Sequence, residues 1–331
     1  MRYFQSAVSA IVLAAPLAMA GSAQAAEDYP TQPIEFVCAT APGSGAATWC
    51  QLMAEELSKP DNLNTPISVV FKSAGNNHEP VVYTDSKPAD GYTLMHVNGS
   101  FSGYFNLPHF TKQLDAFDIV AKVEQTLYGV SVRCDDPDIK SWDDLVAYAK
   151  ANPGDLAMGS NKVGSIHHQN HVALYKAAGI DVRFVPYEGT GGVVKDVVGG
   201  HLRVGFAQPG LWNSHIEAGT ICPLVLINET RLENDPIWKD VPTVRDAGLQ
   251  YSIPFQWQGF LVKTGTPPEI EDKIADAVRN VTESDAYKTY LSNAPEVVPA
   301  LETDRAKLKS DMEKAIKDAR EFMIENDIIK G

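Results

Sequence analysis

The chain lacks an uninterrupted apolar run of about 18 residues, the length that a membrane-spanning helix needs, and it is poor in basic side chains. It has 28 Lys and Arg against 42 Asp and Glu, a formal net charge of −14. The missing run argues against a transmembrane helix. The acidic balance argues against nucleic acid or an anionic membrane surface as a partner.

Motifs that carry enzyme chemistry are also missing. No serine has glycine both two residues before and two residues after it, which excludes a nucleophile elbow. There is no P-loop, and Gly43–Gly45 and Gly189–Gly191 fail the dinucleotide fingerprint, because Thr48 and Val194 stand where its third glycine belongs. We therefore expect a protein that is not an enzyme, with no catalytic residues and no cofactor.

The first 26 residues have the pattern of a secretory signal peptide. Arg2 precedes an apolar stretch over Ala7–Ala18, and Ala23–Ala25 is an A-x-A cleavage signal. We expect cleavage near Ala25 and a periplasmic mature protein. No cysteine follows the apolar stretch directly, so a lipid anchor is not expected. A retained N-terminal anchor is the alternative.

The chain has only four cysteines, Cys38, Cys50, Cys134 and Cys222. An even number in an oxidising compartment favours two disulfides, and the sequence alone allows three pairings. We favour Cys38–Cys50 and Cys134–Cys222, since a strand and the helix packed on it can bring the first two together. Four buried free thiols are the alternative.

Strand-like and helical patterns alternate along most of the chain, which predicts an α/β protein with largely parallel sheets. A final amphipathic helix is predicted in the last 30 residues. The predicted strands are Ile34–Cys38, Ile67–Phe71, Tyr92–Val97, Tyr128–Val132, Asp181–Pro186 and Leu202–Phe206. The predicted helices are Ala47–Leu57, Ser141–Ala151, His167–Ala178 and Val193–Gly199.

Residues 37–57 read as a short apolar strand, a Gly/Pro loop and a helix whose first turn has no charged side chain. Such a helix start points free backbone N–H groups and the positive end of its dipole at the loop. This arrangement is typical of sites for a phosphate or a carboxylate. Gly43 and Gly45 would let the ligand approach the main chain. A compact turn without a ligand is the alternative.

Three histidines lie close together at the start of a predicted helix. His167 and His171 are one turn apart and could share a metal ion, but no third ligand is evident nearby. We therefore expect no metal site. The expectation for these side chains is that His168 faces the preceding loop and that the other two are solvated.

Six short motifs occur in one order along the chain, namely Asp90–Leu94, Asn152–Gly154, Val185–Tyr187 with Gly189, Asp240–Val244, Trp257–Phe260 and Gly265–Pro268. Together they resemble the periplasmic receptors of the tripartite tricarboxylate transporter system, often called Bug proteins. Each is weak alone, but the ordered set covers nearly the whole mature chain.

The resemblance implies the α/β Venus-flytrap fold of periplasmic binding proteins, in which two domains joined by two crossing segments enclose one small ligand. The crossings would lie near Val123–Val132 and Tyr251–Val262. Domain 1 would comprise residues 27–125 and 255–331, and domain 2 would comprise residues 126–254. A monomer is the expectation for this family.

The resemblance also implies the ligand contacts. Residues 40–47 resemble the carboxylate-holding loop of the family, residues 160–161 and 163–165 resemble the loop of the second domain, and residues 187–191 resemble a further loop at a helix start. The predicted ligand-binding residues are Thr40, Pro42, Gly43, Ser44, Gly45, Ala46, Ala47, Ser160, Asn161, Gly164, Ser165, His168, Tyr187, Gly189, Thr190, Gly191, Gln208 and Trp257.

Two departures from the family pattern bear on the ligand. Ala47 replaces an acid that often lies at the pocket mouth, which disfavours an amino-acid ligand, and Glu188 stands where a lysine is frequent. Aromatic residues near the loops, among them Trp49, Trp212 and residues 101–105, would either stack on an aromatic carboxylate or fill the cores.

The implied function is capture of a small di-, tri- or aromatic carboxylate by domain closure, and its delivery to the membrane permease of a tripartite tricarboxylate transporter. One alternative is a secreted enzyme, in which His168 would be the titratable group of the cleft. Others are a sensory ligand-binding protein on the same fold, or a metal-binding receptor that uses His167 and His171.

Overall fold

The computed structural model describes residues 28–331 apart from Asn234 and Pro295. The predicted signal peptide, residues 1–26, lies outside the described residues. In chain order the strands are β1 (Ile34–Cys38), β2 (Ile67–Phe71), β3 (Thr93–Asn98), β4 (Phe117–Thr126), β5 (Tyr128–Arg133), β6 (Ala157–Asn161), β7 (Arg183–Tyr187), β8 (Val204–Ala207), β9 (Ile221–Ile227), β10 (Gln256–Lys263) and β11 (Val297–Glu302).

The helices connect these strands and cover the sheets. In chain order they are α1 (Gly45–Leu57), α2 (Ala74–Asp85), α3 (Phe101–Tyr104), α4 (Trp142–Ala151), α5 (Ile166–Ala178), α6 (Thr190–Val198), α7 (Pro209–Glu217), α8 (Pro268–Glu283), α9 (Asp285–Asn293) and α10 (Arg305–Glu325). A 3₁₀ turn spans Leu114–Ala116.

The strands form two mixed sheets, with the orders β11-β4-β10-β3-β1-β2 and β7-β6-β8-β5-β9. β1 runs parallel to β2 and β3, and β6 runs parallel to β7 and β8. In contrast, β10, β11 and β5 pair antiparallel with their neighbours. The prediction of largely parallel sheets is therefore wrong. The antiparallel strands β4, β5 and β10 flank the passages of the chain between the two sheets, whereas the parallel strands belong to βαβ units.

The chain passes between the two sheets at two places. β4 belongs to the first sheet and β5 to the second, so Leu127 alone separates them. The return lies between the end of β9 at Ile227 and the start of β10 at Gln256. These passages fall at or beside the segments predicted as crossings. Residues at or just after the carboxyl ends of β1, β6 and β8, namely Ala39, Asn161 and Gln208, line one cleft.

Each sheet is covered by apolar side chains on both faces. Along β1, Phe36 and Cys38 pack into one core cluster while Val37 and the following Ala39 pack into another. Side chains of successive residues point to opposite faces of a strand, which explains why a strand buried on both faces is apolar throughout. α10 covers the first sheet with Leu308, as the spacing in the last 30 residues predicts.

Two disulfides are formed, in the pairing that the sequence favours. Cys38 at the end of β1 is bonded to Cys50 in α1, and Cys134 just after β5 is bonded to Cys222 in β9. The first disulfide links α1 to β1, the strand that precedes the Gly/Pro loop at the start of α1. Across the described part of the chain, no helix combines the length and the hydropathy that a bilayer crossing requires.

The two disulfides should differ in their effect on stability, because they close loops of different length. Cys134–Cys222 spans 88 residues and Cys38–Cys50 spans 12. Loop-closure entropy then predicts losses of about 4.6 and about 2.8 kcal/mol in the free energy of unfolding. Urea unfolding of the two double Cys→Ser variants should show the larger loss for the long loop. The opposite order would contradict this explanation.

Candidate functional site

The cleft between the sheets is lined mainly by polar side chains, with equal numbers of residues from its two sides. It encloses a cavity of only about 20 Å³. The side of the first sheet contributes Ala39, Thr40, Ser44, Ala46, Asn77, Asn98, Gln256 and Gln258, and the side of the second contributes Tyr128, Asn161, Lys162, His167, Glu188, Gly189, Thr190 and Gln208.

One wall of the cleft is the start of α1. Ser44 is the N-cap, and its Oγ accepts a hydrogen bond from the N–H of Ala47 at 3.2 Å. The hydroxyls of Ser44 and Thr40 lie 2.9 Å apart and share a hydrogen bond, which fixes the loop. The cap accepts the N–H of Ala47, the third amide of the helix, and does not bond the N–H groups of Gly45 and Ala46. These two N–H groups can therefore donate to an anion.

The opposite wall is the start of α6. Its N-cap is Gly189, which has no side chain that could compete for the first amides. Thr190 Oγ1 donates to Gln208 Oε1 at 2.7 Å, and this bond orients the amide of Gln208 in the cleft. Two helix N-termini therefore converge from the two sides of the cleft. Both have positive dipole ends and neither carries a charged side chain in its first turn.

Two glycines allow the walls to approach closely. A Cβ on Gly103 in α3 would lie 1.8 Å from the carbonyl oxygen of Gly164, which belongs to the loop before α5. A Cβ on Gly191 would lie 2.9 Å from the carbonyl oxygen of Gly43. The main chains of the two sides are thus in direct contact, and a side chain at either glycine would force them apart.

A buried ammonium group lies in the cleft. The side chain of Lys162 is 2% exposed, and its Nζ donates to Asn77 Oδ1 at 2.8 Å and lies 3.0 Å from Glu188 Oε2. Burial lowers the pKa of Lys162, and the carboxylate of Glu188 opposes that effect. The positive charge in the cleft is therefore already matched by an acid.

His168 faces the preceding loop, as expected, since its Nδ1 accepts a hydrogen bond from the N–H of Gly164 at 3.2 Å, but the other two histidines differ from the expectation. His167 and His171 are 2% and 5% exposed, so the expectation that both are solvated is wrong. His167 lies edge-on to Tyr128 at 4.4 Å and lines the cleft with both ring nitrogens unpaired, whereas His171 Nε2 bonds the carbonyl of Val182 at 2.6 Å. Burial lowers the pKa of His167 to about 3. Helix α5 presents this face to the sheet rather than to solvent.

Seven of the predicted ligand-binding residues line the cleft, namely Thr40, Ser44, Ala46, Asn161, Gly189, Thr190 and Gln208. The other eleven lie outside this lining, namely Pro42, Gly43, Gly45, Ala47, Ser160, Gly164, Ser165, His168, Tyr187, Gly191 and Trp257. Contact of any of them with a ligand stays a prediction.

Several residues outside the lining have local partners. His168 stacks on Phe184 with ring centroids 4.0 Å apart, and Tyr187 donates to Asp196 at 2.7 Å. Ser165 caps α5 through the N–H of His168. Trp257 contributes to a separate cavity of about 340 Å³ beside α10.

Sequence reasoning missed several residues of the cleft. Tyr128, Gln256 and Gln258 lie on the two predicted crossings. Polar side chains beside a predicted hinge could have identified them as candidates for the cleft. Asn77 and Asn98 sit in segments without a recognised motif. The aromatic residues near the loops are buried in core clusters or against one another, namely Trp49, Trp212, Phe101, Tyr104 and Phe105. Their burial favours the interpretation that they fill the cores and do not stack on a ligand.

Within the described residues, one group of three donors is close enough to share a metal ion, formed by Cys38, Cys50 and His96. Both sulfurs are already joined in a disulfide. His167 and His171 do not belong to this group, so their positions give no support to a shared metal ion.

Comparison with known sequences agrees with the geometry. The model of the tripartite tricarboxylate transporter family receptor (TctC) matches residues 50–321. BugT of Bordetella pertussis is 27% identical over 254 residues, 74% of each chain. A UPF0065 protein of Cupriavidus necator is 27% identical over 294 residues, 87% of this chain and 86% of its own.

Solved structures share the fold at low sequence identity. The periplasmic binding protein BugD has a TM-score of 0.80 at 18% identity and covers 91% of this chain and 99% of its own. MatC of Rhodopseudomonas palustris with bound malate has a TM-score of 0.77 at 22% identity, covering 89% and 99%. An R. palustris protein with adipate has a TM-score of 0.79 at 23%, covering 89% and 97%. The predicted two-domain α/β fold is confirmed.

The contact between Gly103 and Gly164 predicts an effect on closure. Gly103→Ala should keep the cleft open, because its methyl group would overlap a backbone oxygen. We expect a larger radius of gyration by small-angle X-ray scattering. Gly331→Ala is the control, since its methyl group would meet Ile324 Cγ2 at 3.5 Å, an ordinary contact. Identical scattering from both variants and the wild type would contradict the prediction.

The burial of His167 predicts a loss of stability in acid. Its folded-state pKa of about 3 lies below the unfolded value of about 6.5, so the unfolded chain takes up a proton first as the pH falls. Between pH 7 and pH 5 this costs about 2 kcal/mol of unfolding free energy. His167→Gln should remove that part of the pH dependence, measured by urea unfolding at both values. An unchanged pH dependence, equal to that of the exposed-site variant His201→Gln, would contradict this.

Proposed function

The chain belongs to the tripartite tricarboxylate transporter receptor family, and on that premise we propose that it captures a small organic carboxylate by closing its two domains. The observation that supports this most is the convergence of the α1 and α6 N-termini on one polar cleft. Main-chain amides would bind the carboxylate oxygens from both sides. No bond needs to form or break.

The electrostatics of the cleft are consistent with this proposal. The protein carries a net charge of −14, so a distant field would repel an anion. Helix dipoles and backbone amides act over the first turn only, which makes them effective at the site itself. Neutral amides such as Asn98, Asn161 and Gln208 add directional hydrogen bonds without further charge.

We propose an aliphatic dicarboxylate in preference to an aromatic acid. Trp49 and Trp212, two rings that could have stacked on an aromatic ligand, are fully buried in the cores. Two proteins of the same fold hold adipate and malate, which are both aliphatic dicarboxylates.

The biological setting that we propose follows the family. Residues 1–26 would be removed on export, the monomeric receptor would act in the periplasm, and the closed form would be presented to a membrane permease. The domains would be residues 27–125 with 255–331, and residues 126–254. The hinge would lie at Leu127 and between Ile227 and Gln256, where the chain passes between the sheets.

A stability assay tests the proposal. Mature protein, unfolded and refolded to remove carried-over ligand, should unfold at a higher temperature in malate or adipate. A ligand at a hundred times its Kd stabilises the folded state by about 2.7 kcal/mol. The panel should include citrate, benzoate, phthalate and aspartate. A cooperative transition that no carboxylate shifts would contradict carboxylate capture.

A further inference from the structure

We propose that Lys162 forms a second carboxylate subsite in the cleft, and that the carboxylate of Glu188 occupies this subsite in the absence of ligand. This inference rests on the function proposed above. The first subsite would be the pair of helix N-termini, α1 and α6. A dicarboxylate would bind both subsites and displace Glu188 from the second.

The environment of Lys162 is a built anion site. Its Nζ donates to the carbonyl of Ser73 at 2.5 Å and to Asn77 Oδ1 at 2.8 Å, and its third interaction is with Glu188 Oε2 at 3.0 Å. An ammonium group has three donors, so two are used by neutral acceptors and one by a carboxylate. A buried ammonium group needs an opposite charge. Of its three partners, only Glu188 carries a negative charge.

The neutral acceptors are fixed by the backbone and do not depend on Glu188. Gly75, Asn76 and Asn77 have φ values of +60°, +53° and +68°, a left-handed turn that is uncommon for side chains other than glycine and asparagine. This turn begins two residues after Ser73 and carries Asn77 towards Lys162. The lysine belongs to the side of the second sheet, so its bonds also connect the two walls of the cleft.

Glu188, in contrast, is free to leave. Its side chain is 67% exposed although its partner is buried, and the structure gives its carboxylate the one ion pair with Lys162. It lies directly before Gly189 and Thr190 at the start of α6, so it is next to the first subsite. Rotation of this side chain into solvent would expose Lys162 to a ligand without a change in the fold.

The limited volume of the cleft makes displacement necessary. A cavity of about 20 Å³ holds about one water molecule, so a ligand carboxylate cannot reach Lys162 while the side chain of Glu188 occupies this part of the cleft. A dicarboxylate returns a counter-charge to Lys162, whereas a monocarboxylate leaves the ammonium unpaired or leaves Glu188 in place. A tethered carboxylate competes at an effective concentration in the millimolar range. Glu188 should therefore weaken the binding of acids with two carboxylates, which need Lys162, and leave the binding of acids with one carboxylate unchanged.

Isothermal titration of Glu188→Gln tests this inference with adipate and with hexanoate, which has the same chain length and one carboxylate. We expect Glu188→Gln to bind adipate about tenfold more tightly than the wild type does, with the affinity for hexanoate unchanged. Glu217→Gln, which removes an exposed acid from α7 outside the cleft lining, is the charge-matched control. Lys162→Met should lose the preference for adipate over hexanoate.

The outcomes separate this inference from the proposed function. Equal gains for adipate and hexanoate would show only a weaker long-range repulsion, and an unchanged or weaker affinity for adipate would show that Glu188 does not compete. Either result overturns the inference while carboxylate capture stands. If neither the wild type nor Glu188→Gln binds adipate, malate or hexanoate while both unfold cooperatively, the proposed function fails and the inference fails with it.

Discussion

The close approach of main chain to main chain across the cleft is the constraint on which the rest of the structure depends. Gly103 against Gly164 and Gly191 against Gly43 bring two βαβ units together with no side chain between them. Only at that distance can the N-termini of α1 and α6 act on one small anion, since the field of a helix end falls off within a turn. The two sheets, their crossings and the Cys38–Cys50 bond hold these helix starts in place.

This arrangement explains how an acidic protein can bind an anion. The dipoles need no lysine or arginine at the first subsite, and the cationic side chain that lines the cleft, Lys162, is already matched by Glu188. Charge is therefore balanced locally in the cleft, although the chain as a whole carries a net charge of −14. In the binding that we propose, a carboxylate of the ligand replaces the carboxylate of Glu188 at Lys162. The affinity then depends on Glu188 as well as on the ligand.

Much of the fold could be predicted because it depends on local patterns. The apolar strands Ile34–Cys38 and Ile67–Phe71 are found with the predicted bounds, and the helix predicted over Ser141–Ala151 is found as Trp142–Ala151 with Ser141 as its N-cap. Strand direction was not predictable from alternation, because it depends on where the chain crosses between the sheets. Lys162 and Asn77 were missed because their meeting is a long-range contact, and the solvation of His167 was misjudged because burial depends on which face of α5 meets the sheet.

The most direct test of the central claim is a crystal structure of the refolded protein with adipate. The account predicts one carboxylate within about 2.9 Å of main-chain N–H groups at the starts of both α1 and α6, in a closed cleft. A ligand bound in another cavity would contradict the account. So would a ligand in the cleft whose carboxylates contact side chains only, because helix N-termini would then have no part in binding.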